Sequence, residues 1–220
     1  MNRILAIAAV AVIGAFGAFL WINSQPQAPG IDIGAVNAQT AENIDTSIVT
    51  EMTMGNPDAA VTVIEYASFT CPHCRTFHEG AFKELKADYI DTGKINFVYR
   101  EVYFDQPGLW AGMLARCGGE ERYFGIADLI YQNQSTWLAG DPATIANNLR
   151  RLGRTAGLSD DQINACLQDG DMAQAMVAAY QQNATADGIR STPSFVFNGK
   201  LHSNLSYSEF SEFIDEALGS

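Results

Sequence analysis

Apolar residues run without interruption from Ile4 to Ile22, then scatter, and recur with the spacing of packed secondary structure only from Val61 onward. The stretch Val61 to Phe69 is apolar on both faces, which predicts a central strand covered on each side. The turn cluster Gly55-Asn56-Pro57-Asp58 precedes it, so folding is expected to begin near Met52. Phe77, Phe82, Leu85, Tyr89 and Ile90 then follow at helical spacing until Asp91-Thr92-Gly93 stops the helix. Lys94 to Arg100 predicts a second strand.

Beyond Asp105-Gln106-Pro107-Gly108 the strand signals cease and helical stripes take over. Leu109, Met113 and Cys117 form one stripe, Tyr123, Phe124, Ala127, Ile130 and Tyr131 a second, and Ile145, Leu149 and Leu152 a third. Asp141-Pro142 reads as a cap followed by a first-turn proline. Ser159 to Gln162 fits a capping box ahead of Ile163, Cys166 and Leu167, and Asp171 is expected to open a further helix through Tyr180. Strand character returns at Ser194-Phe195-Val196-Phe197, with Asn198-Gly199 as a hairpin turn. Ser206 to Glu209 is a capping box for a last helix. An α/β fold is predicted in which strand elements flank a helical insertion.

The N-terminal run sets the compartment. Asn2 and Arg3 precede 19 residues without a charge, long enough at ~1.5 Å per residue to match a hydrocarbon core of ~30 Å. Residues 1–22 therefore read as a signal peptide or an N-terminal membrane anchor. The anchor is preferred because cleavable signals have shorter apolar cores, and the candidate cleavage positions Ile22-Asn23-Ser24 and Val36-Asn37-Ala38 fit poorly. With Arg3 inside, the remainder faces outward in either case, into an oxidising extracytoplasmic space such as a bacterial periplasm. Residues 23–51, with Gln25-Pro26-Gln27-Ala28-Pro29-Gly30, lack sustained periodicity and read as a flexible linker.

Length and composition add limits. A chain of 220 residues with 47% hydrophobic content has enough apolar surface for one domain carrying an insertion. Its net charge of −12, with no basic stripe, argues against a nucleic-acid partner.

The chemistry concentrates at Cys71-Pro72-His73-Cys74, where the first strand hands over to its helix. Two cysteines with two residues between them on a first helical turn close a small disulfide ring with little backbone movement. Pro72 suits the first helical position, where its missing N–H would be unpaired anyway. Cys71 then sits at the helix N-terminus, where the helix dipole and free N–H groups stabilise a thiolate, and His73, when protonated, adds to that effect. A stabilised thiolate is a good leaving group, so its disulfide is an oxidant. Glu65, the one charge in the preceding strand, has two readings. It is either a solvent-facing residue at a strand edge or a buried carboxylate that relays protons during exchange.

The order strand, Cys-Pro-His-Cys helix, strand, helical insertion, then Ser191-Thr192-Pro193 leading into Phe195-Val196-Phe197-Asn198-Gly199 resembles the DsbA family of thiol-disulfide oxidoreductases. That family has a thioredoxin fold with an inserted all-helical domain. The resemblance covers residues 52–220, with 52–104 and 188–220 as the thioredoxin-like domain and 105–187 as the insertion. It implies that Cys71 is the nucleophile, Cys74 its more buried partner, His73 the residue that tunes the redox potential and Glu65 the buried acid. Pro193 would follow a cis peptide bond and face the dithiol, and the backbone at Thr192 would bind an extended substrate segment by strand addition. Thr192 departs from the valine expected of the enterobacterial oxidases. The activity implied is donation of the Cys71–Cys74 disulfide to reduced exported proteins, with no bound cofactor and with reoxidation by a quinone-linked membrane partner of the DsbB type. An isomerase or reductase held reduced by a membrane donor is the alternative within the same chemistry. The region before Met52 is too short and irregular for the dimerisation domain of the dimeric isomerases, which favours the oxidase, and a monomer is expected. A peptide-binding module or chaperone is the alternative from another class.

Cys117 and Cys166 lie on helical apolar stripes and read either as buried free thiols or, in an exported protein, as a structural disulfide. The disulfide is preferred, worth roughly 3 to 4 kcal/mol on the chain-entropy model; the pattern also resembles the second cysteine pair of exported DsbA-like proteins. No metal is expected, since a single CxxC supplies half of a zinc site and the other cysteines lack close spacing. His78 and His202 are expected at the surface or at helix caps, and Trp110 and Trp137 in the core.

Overall fold

A five-stranded sheet runs through the computed structural model, which describes residues 44–203 and 205–219. The strands β1 (Met52–Gly55), β2 (Val61–Ala67), β3 (Ile95–Glu101), β4 (Ser194–Phe197) and β5 (Lys200–Ser203) lie in the order β1-β3-β2-β4-β5. β2 is central, parallel to β3 and antiparallel to β4, with Glu65 opposite Tyr99 on one side and Phe195 on the other. Its alternate residues pack into two hydrophobic clusters, Val61, Val63 and Ala67 in one and Tyr66 with Ile64 in the other, which is why the strand is apolar on both faces. β4 turns back into β5 through Asn198 and Gly199, both at positive φ, as a tight hairpin requires.

The helices begin with α1 (Pro72–Glu79) and α2 (Ala81–Leu85), followed by a π-helical turn over Lys86–Ile90. Helical spacing predicts one continuous helix here. Instead the backbone breaks at Gly80, whose φ of −118° and ψ of −103° lie outside the helical range; glycine loses the most chain entropy in a helix and so marks the weak point. β1 is also absent from the sequence expectation, because four residues ending in a glycine are too short to show alternation. It pairs antiparallel with β3 and closes that edge of the sheet.

Between β3 and β4 lies the helical insertion, α3 (Gln106–Arg116), α4 (Glu120–Gln132), α5 (Gln134–Trp137), α6 (Pro142–Thr155), α7 (Asp160–Leu167) and α8 (Gly170–Ala186). Asp105 and Asp141 each accept a backbone N–H as N-cap ahead of a first-turn proline, and Ser159 forms the expected capping box with Gln162. Asp171 is not the cap of α8: Asp169 accepts from Met172 N–H two residues earlier, and Asp171 sits in the first turn, where its charge suits the helix dipole. The last helix, α9 (Tyr207–Leu218), opens on the Ser206–Glu209 box.

Phe77 of α1, Phe195 of β4 and Phe210 of α9 meet with ring centroids 4.6 to 5.4 Å apart and join both helices to the sheet. Burial of each such side chain contributes about 1.5–3 kcal/mol. The insertion is joined to the sheet by a polar cluster. Arg116 donates from Nε and Nη2 to the buried carboxylate of Glu101 at 2.8 and 2.6 Å, and the Tyr123 hydroxyl donates to the same group at 2.8 Å. Arg116 also donates to the Thr50 carbonyl, and Glu51 accepts from Arg100, so the last residues of the segment read as a linker are tied to the fold. Trp137 is buried and Trp110 half-buried against the core. Among the described residues no helix is long and apolar enough to cross a membrane. The export element at 4–22 lies outside the described residues, as does most of the linker.

Candidate functional site

The C-terminal end of β2 delivers the chain to the dithiol. Ser68 Oγ and Thr70 Oγ1 lie 3.1 Å apart, and Thr70 donates to the Asp105 carboxylate at 2.9 Å. Asp105 also caps α3 by accepting from Gly108 N–H, so one carboxylate binds the start of the insertion to the residue before Cys71. Cys71 is the N-cap of α1, Pro72 is its first helical residue, and the backbone at Cys71 is extended, with φ −80° and ψ 121°. Cys71 is half-buried, Pro72 and His73 are exposed, and Cys74 is fully buried. Both thiols are free.

Thr192-Pro193, joined by a cis peptide bond, faces the dithiol. The Cys71 thiol donates to the Thr192 carbonyl at 3.5 Å. The Cys71 pKa is lowered to about 5, chiefly by hydrogen bonding with the Cys74 thiol, aided by the Thr192 side chain and the backbone N–H groups of Cys74 and His73, and opposed by burial. The Cys74 thiol is pushed far above the ordinary range, first by burial, then by its hydrogen bond with Cys71 and by the charge of Glu65. The two sulfurs thus divide the roles: one is a thiolate at neutral pH and the other stays protonated.

Glu65 is fully buried, so it is not the solvent-facing residue at a strand edge that was the first of its two readings. Both of its oxygens lie on Nε2 of His78, at 3.1 and 3.0 Å. This corrects the expectation for His78, which is neither a surface nor a cap residue but is 5% exposed in the interior. The spacing carried the missed signal: His78 is one helical turn beyond Cys74, hence on the same buried face of α1. Its ring stacks on Tyr131 of α4 with centroids 4.3 Å apart. The Tyr131 hydroxyl lies 2.6 Å from that of Tyr99 and donates to the Ser68 carbonyl at 3.3 Å. Gln134, also missed, donates from Nε2 to the carbonyls of Phe69 and Cys71. His202 instead packs against Phe213, the two rings tilted with centroids 4.5 Å apart.

Cys117 and Cys166 are disulfide-bonded, with Cα atoms 5.8 Å apart. Cys117 is the C-cap of α3 rather than part of its interior stripe, and Cys166 lies in α7. Among the described residues no cluster of three or more His, Cys, Asp or Glu is placed to hold a metal ion.

A redox-type CxxC at a helix N-terminus, a facing cis-proline and a sheet interrupted by helices define a thioredoxin-fold dithiol protein. The sequence matches the thioredoxin family over residues 47–216, and the chain belongs to that family. Within it, the chain is DsbA-like. It is similar to alpha-DsbA1 of Wolbachia pipientis, with 28% identity and a TM-score of 0.71 over 78% of this chain and 92% of that one. A Rickettsia bellii relative named a protein-disulfide oxidoreductase is 35% identical over 76% of this chain. This chain spans 64% of that protein's length. Disulfide bond formation protein D of Bacillus subtilis is 25% identical over 78% of this chain and 79% of its own.

Proposed function

We propose that the chain is a thiol-disulfide oxidoreductase that donates its Cys71–Cys74 disulfide to reduced exported proteins. The observation that carries this reading is the position of Cys71 as N-cap of α1, with Cys74 buried behind it. The helix N-terminus, the Cys74 thiol and the backbone N–H groups of His73 and Cys74 stabilise the Cys71 thiolate and so favour the reduced enzyme over its disulfide.

In the first step a substrate thiolate attacks Cys71 Sγ, the Cys71–Cys74 bond breaks, and Cys74 leaves with the electron pair and is protonated. A second substrate thiolate then attacks the substrate sulfur of the mixed disulfide and expels Cys71 as its stabilised thiolate. Two electrons pass from the substrate dithiol to the enzyme, and the substrate gains its disulfide. The extended substrate segment lies along the Thr192-Pro193 backbone by strand addition. His73, exposed beside Cys71, tunes the potential, and Glu65 serves the Cys74 proton. The Cys117–Cys166 bond is structural and takes no part in exchange.

The names of the Rickettsia and Bacillus relatives support the same chemistry. A donor of disulfides to exported clients acts outside the cytoplasm, in the space to which the N-terminal run would deliver it. A quinone-linked membrane protein of the DsbB type reoxidises the dithiol.

The test is oxidation of a reduced, unfolded client by the purified oxidised protein. Wild type should return native disulfides and Cys71→Ser none. Equal client oxidation by Cys71→Ser would remove the dithiol from the reaction and leave a peptide-binding module.

A further inference from the structure

We infer that His78 is the conduit by which protons reach and leave the enclosed Glu65 during each exchange cycle, a role that rests on the dithiol chemistry proposed above. Glu65 is 0% exposed, so its carboxylate has no direct contact with water. Both oxygens lie on a single atom, Nε2 of His78. No buried side-chain nitrogen or oxygen among the described residues lacks a hydrogen-bond partner. Nδ1 of His78 has no protein partner among those residues, so it is not fully enclosed, and 6% of the side chain meets solvent. The imidazole therefore spans the distance from an enclosed carboxylate to the surface. A neutral imidazole passes a proton by gaining one at one nitrogen and losing one at the other.

The surroundings hold the ring in that orientation. Tyr131 from α4 lies flat against it, Tyr99 from β3 and Phe77 meet it edge-on, and Phe82 from α2 closes another side. The titratable groups around it are Glu65 from β2, Cys74 one turn earlier on α1, Tyr99 and Tyr131. None of these is a cation, so no fixed positive charge there competes with the imidazole for Glu65.

The proton balance closes over a cycle. When Cys74 leaves as thiolate, the Nε2 proton moves to Glu65 and on to Cys74, while Nδ1 takes a proton from water. On reoxidation Cys74 Sγ attacks Cys71 Sγ in the mixed disulfide with the oxidant, whose thiolate leaves. The Cys74 proton then passes to Glu65 and to Nε2, and Nδ1 releases one to water. Uptake switches the tautomer one way and release switches it back, so the ring never has to turn over. His78 acts through Glu65 and is a positioning residue, not a catalytic one.

The test uses glutathione, whose exchange needs Cys74 whichever way the enzyme works on clients. Reduced full-length protein is mixed with oxidised glutathione, and resolution of the Cys71–glutathione mixed disulfide by Cys74 is timed across pH. His78→Gln keeps an N–H donor for Glu65 but cannot relay. It should slow resolution by about tenfold or more and flatten the pH profile. In a Glu65→Gln background the same change should alter the rate by less than about twofold, because the wire then leads nowhere. A wild-type rate for His78→Gln, or equal slowing in both backgrounds, overturns the proposal. Should His78→Gln fail to fold, His78→Ala with added imidazole replaces it. Rescue that rises with imidazole concentration supports the relay and its absence overturns it. A wild-type protein that does not exchange with glutathione at all would strike the proposed function instead, and is read first.

Discussion

Gln134 reaches from the helical insertion to the dithiol, its side-chain amide donating to the backbone carbonyl of Cys71 at 3.0 Å and to that of Phe69 at 2.8 Å. One buried amide therefore pairs two carbonyls of the segment that sets Cys71 at the start of α1. The insertion is part of the site's support. Gln134→Ala should leave both carbonyls short of a partner and destabilise the protein by about 1–3 kcal/mol. Chemical denaturation measures this, and the Cys71 alkylation rate should shift in the same variant. Unchanged values for both would mean that the insertion does not brace the dithiol.

The lowered pKa of Cys71, about 5, sets a pH dependence with a definite sign. Below that value the thiol is protonated in both folded and unfolded chains and contributes nothing. As pH rises from about 5 through the ordinary thiol range, the folded thiolate stabilises the reduced protein, and the gain is complete above the unfolded value of about 8.5. The oxidised protein has no thiol there and lacks this dependence. Reduced-state stability should therefore rise with pH over that window relative to Cys71→Ser, and alkylation of Cys71 should be half-maximal near its lower end. A midpoint in the ordinary thiol range would contradict the thiolate assignment.

Cys117 and Cys166 are 49 residues apart. On the chain-entropy model a loop of that size is worth about 4 kcal/mol, so Cys117→Ala with Cys166→Ala should lose roughly that much stability. Dithiol exchange at Cys71 should persist under conditions where the variant is folded. Loss of exchange in a folded variant would give the second pair a redox role.

Arg116 neutralises the buried Glu101. Arg116→Ala strands that carboxylate together with its Tyr123 contact and should cost about 3–5 kcal/mol. Removing both charges with apolar residues of similar volume should cost much less, which a denaturation series on the single and double variants would show.

Much of this was legible in the sequence because it is local. A CxxC with proline at the first helical position, a strand apolar on both faces and two Ser-x-x-Glu/Gln capping boxes are each written within a few residues. Thr192-Pro193 was found through the resemblance rather than through any local pattern, since no short-range signal fixes a cis bond. The misses are contacts between elements. His78 finds Glu65 across 13 residues and Tyr131 across the insertion, so a histidine on an otherwise ordinary helix looked unpartnered. Gln134 and Arg116 are polar residues whose burial depends on how the insertion docks onto the sheet. β1 and the break at Gly80 were missed for the opposite reason: four residues and one glycine carry too little periodicity to read.

The reduction potential of the Cys71–Cys74 couple tests the central claim most directly. Equilibration of the purified protein with glutathione buffers of known poise gives it. Stabilisation of the Cys71 thiolate should place it near the oxidising value of about −120 mV that characterises DsbA. A value near the roughly −270 mV of thioredoxin would contradict a disulfide donor and make the protein a reductant.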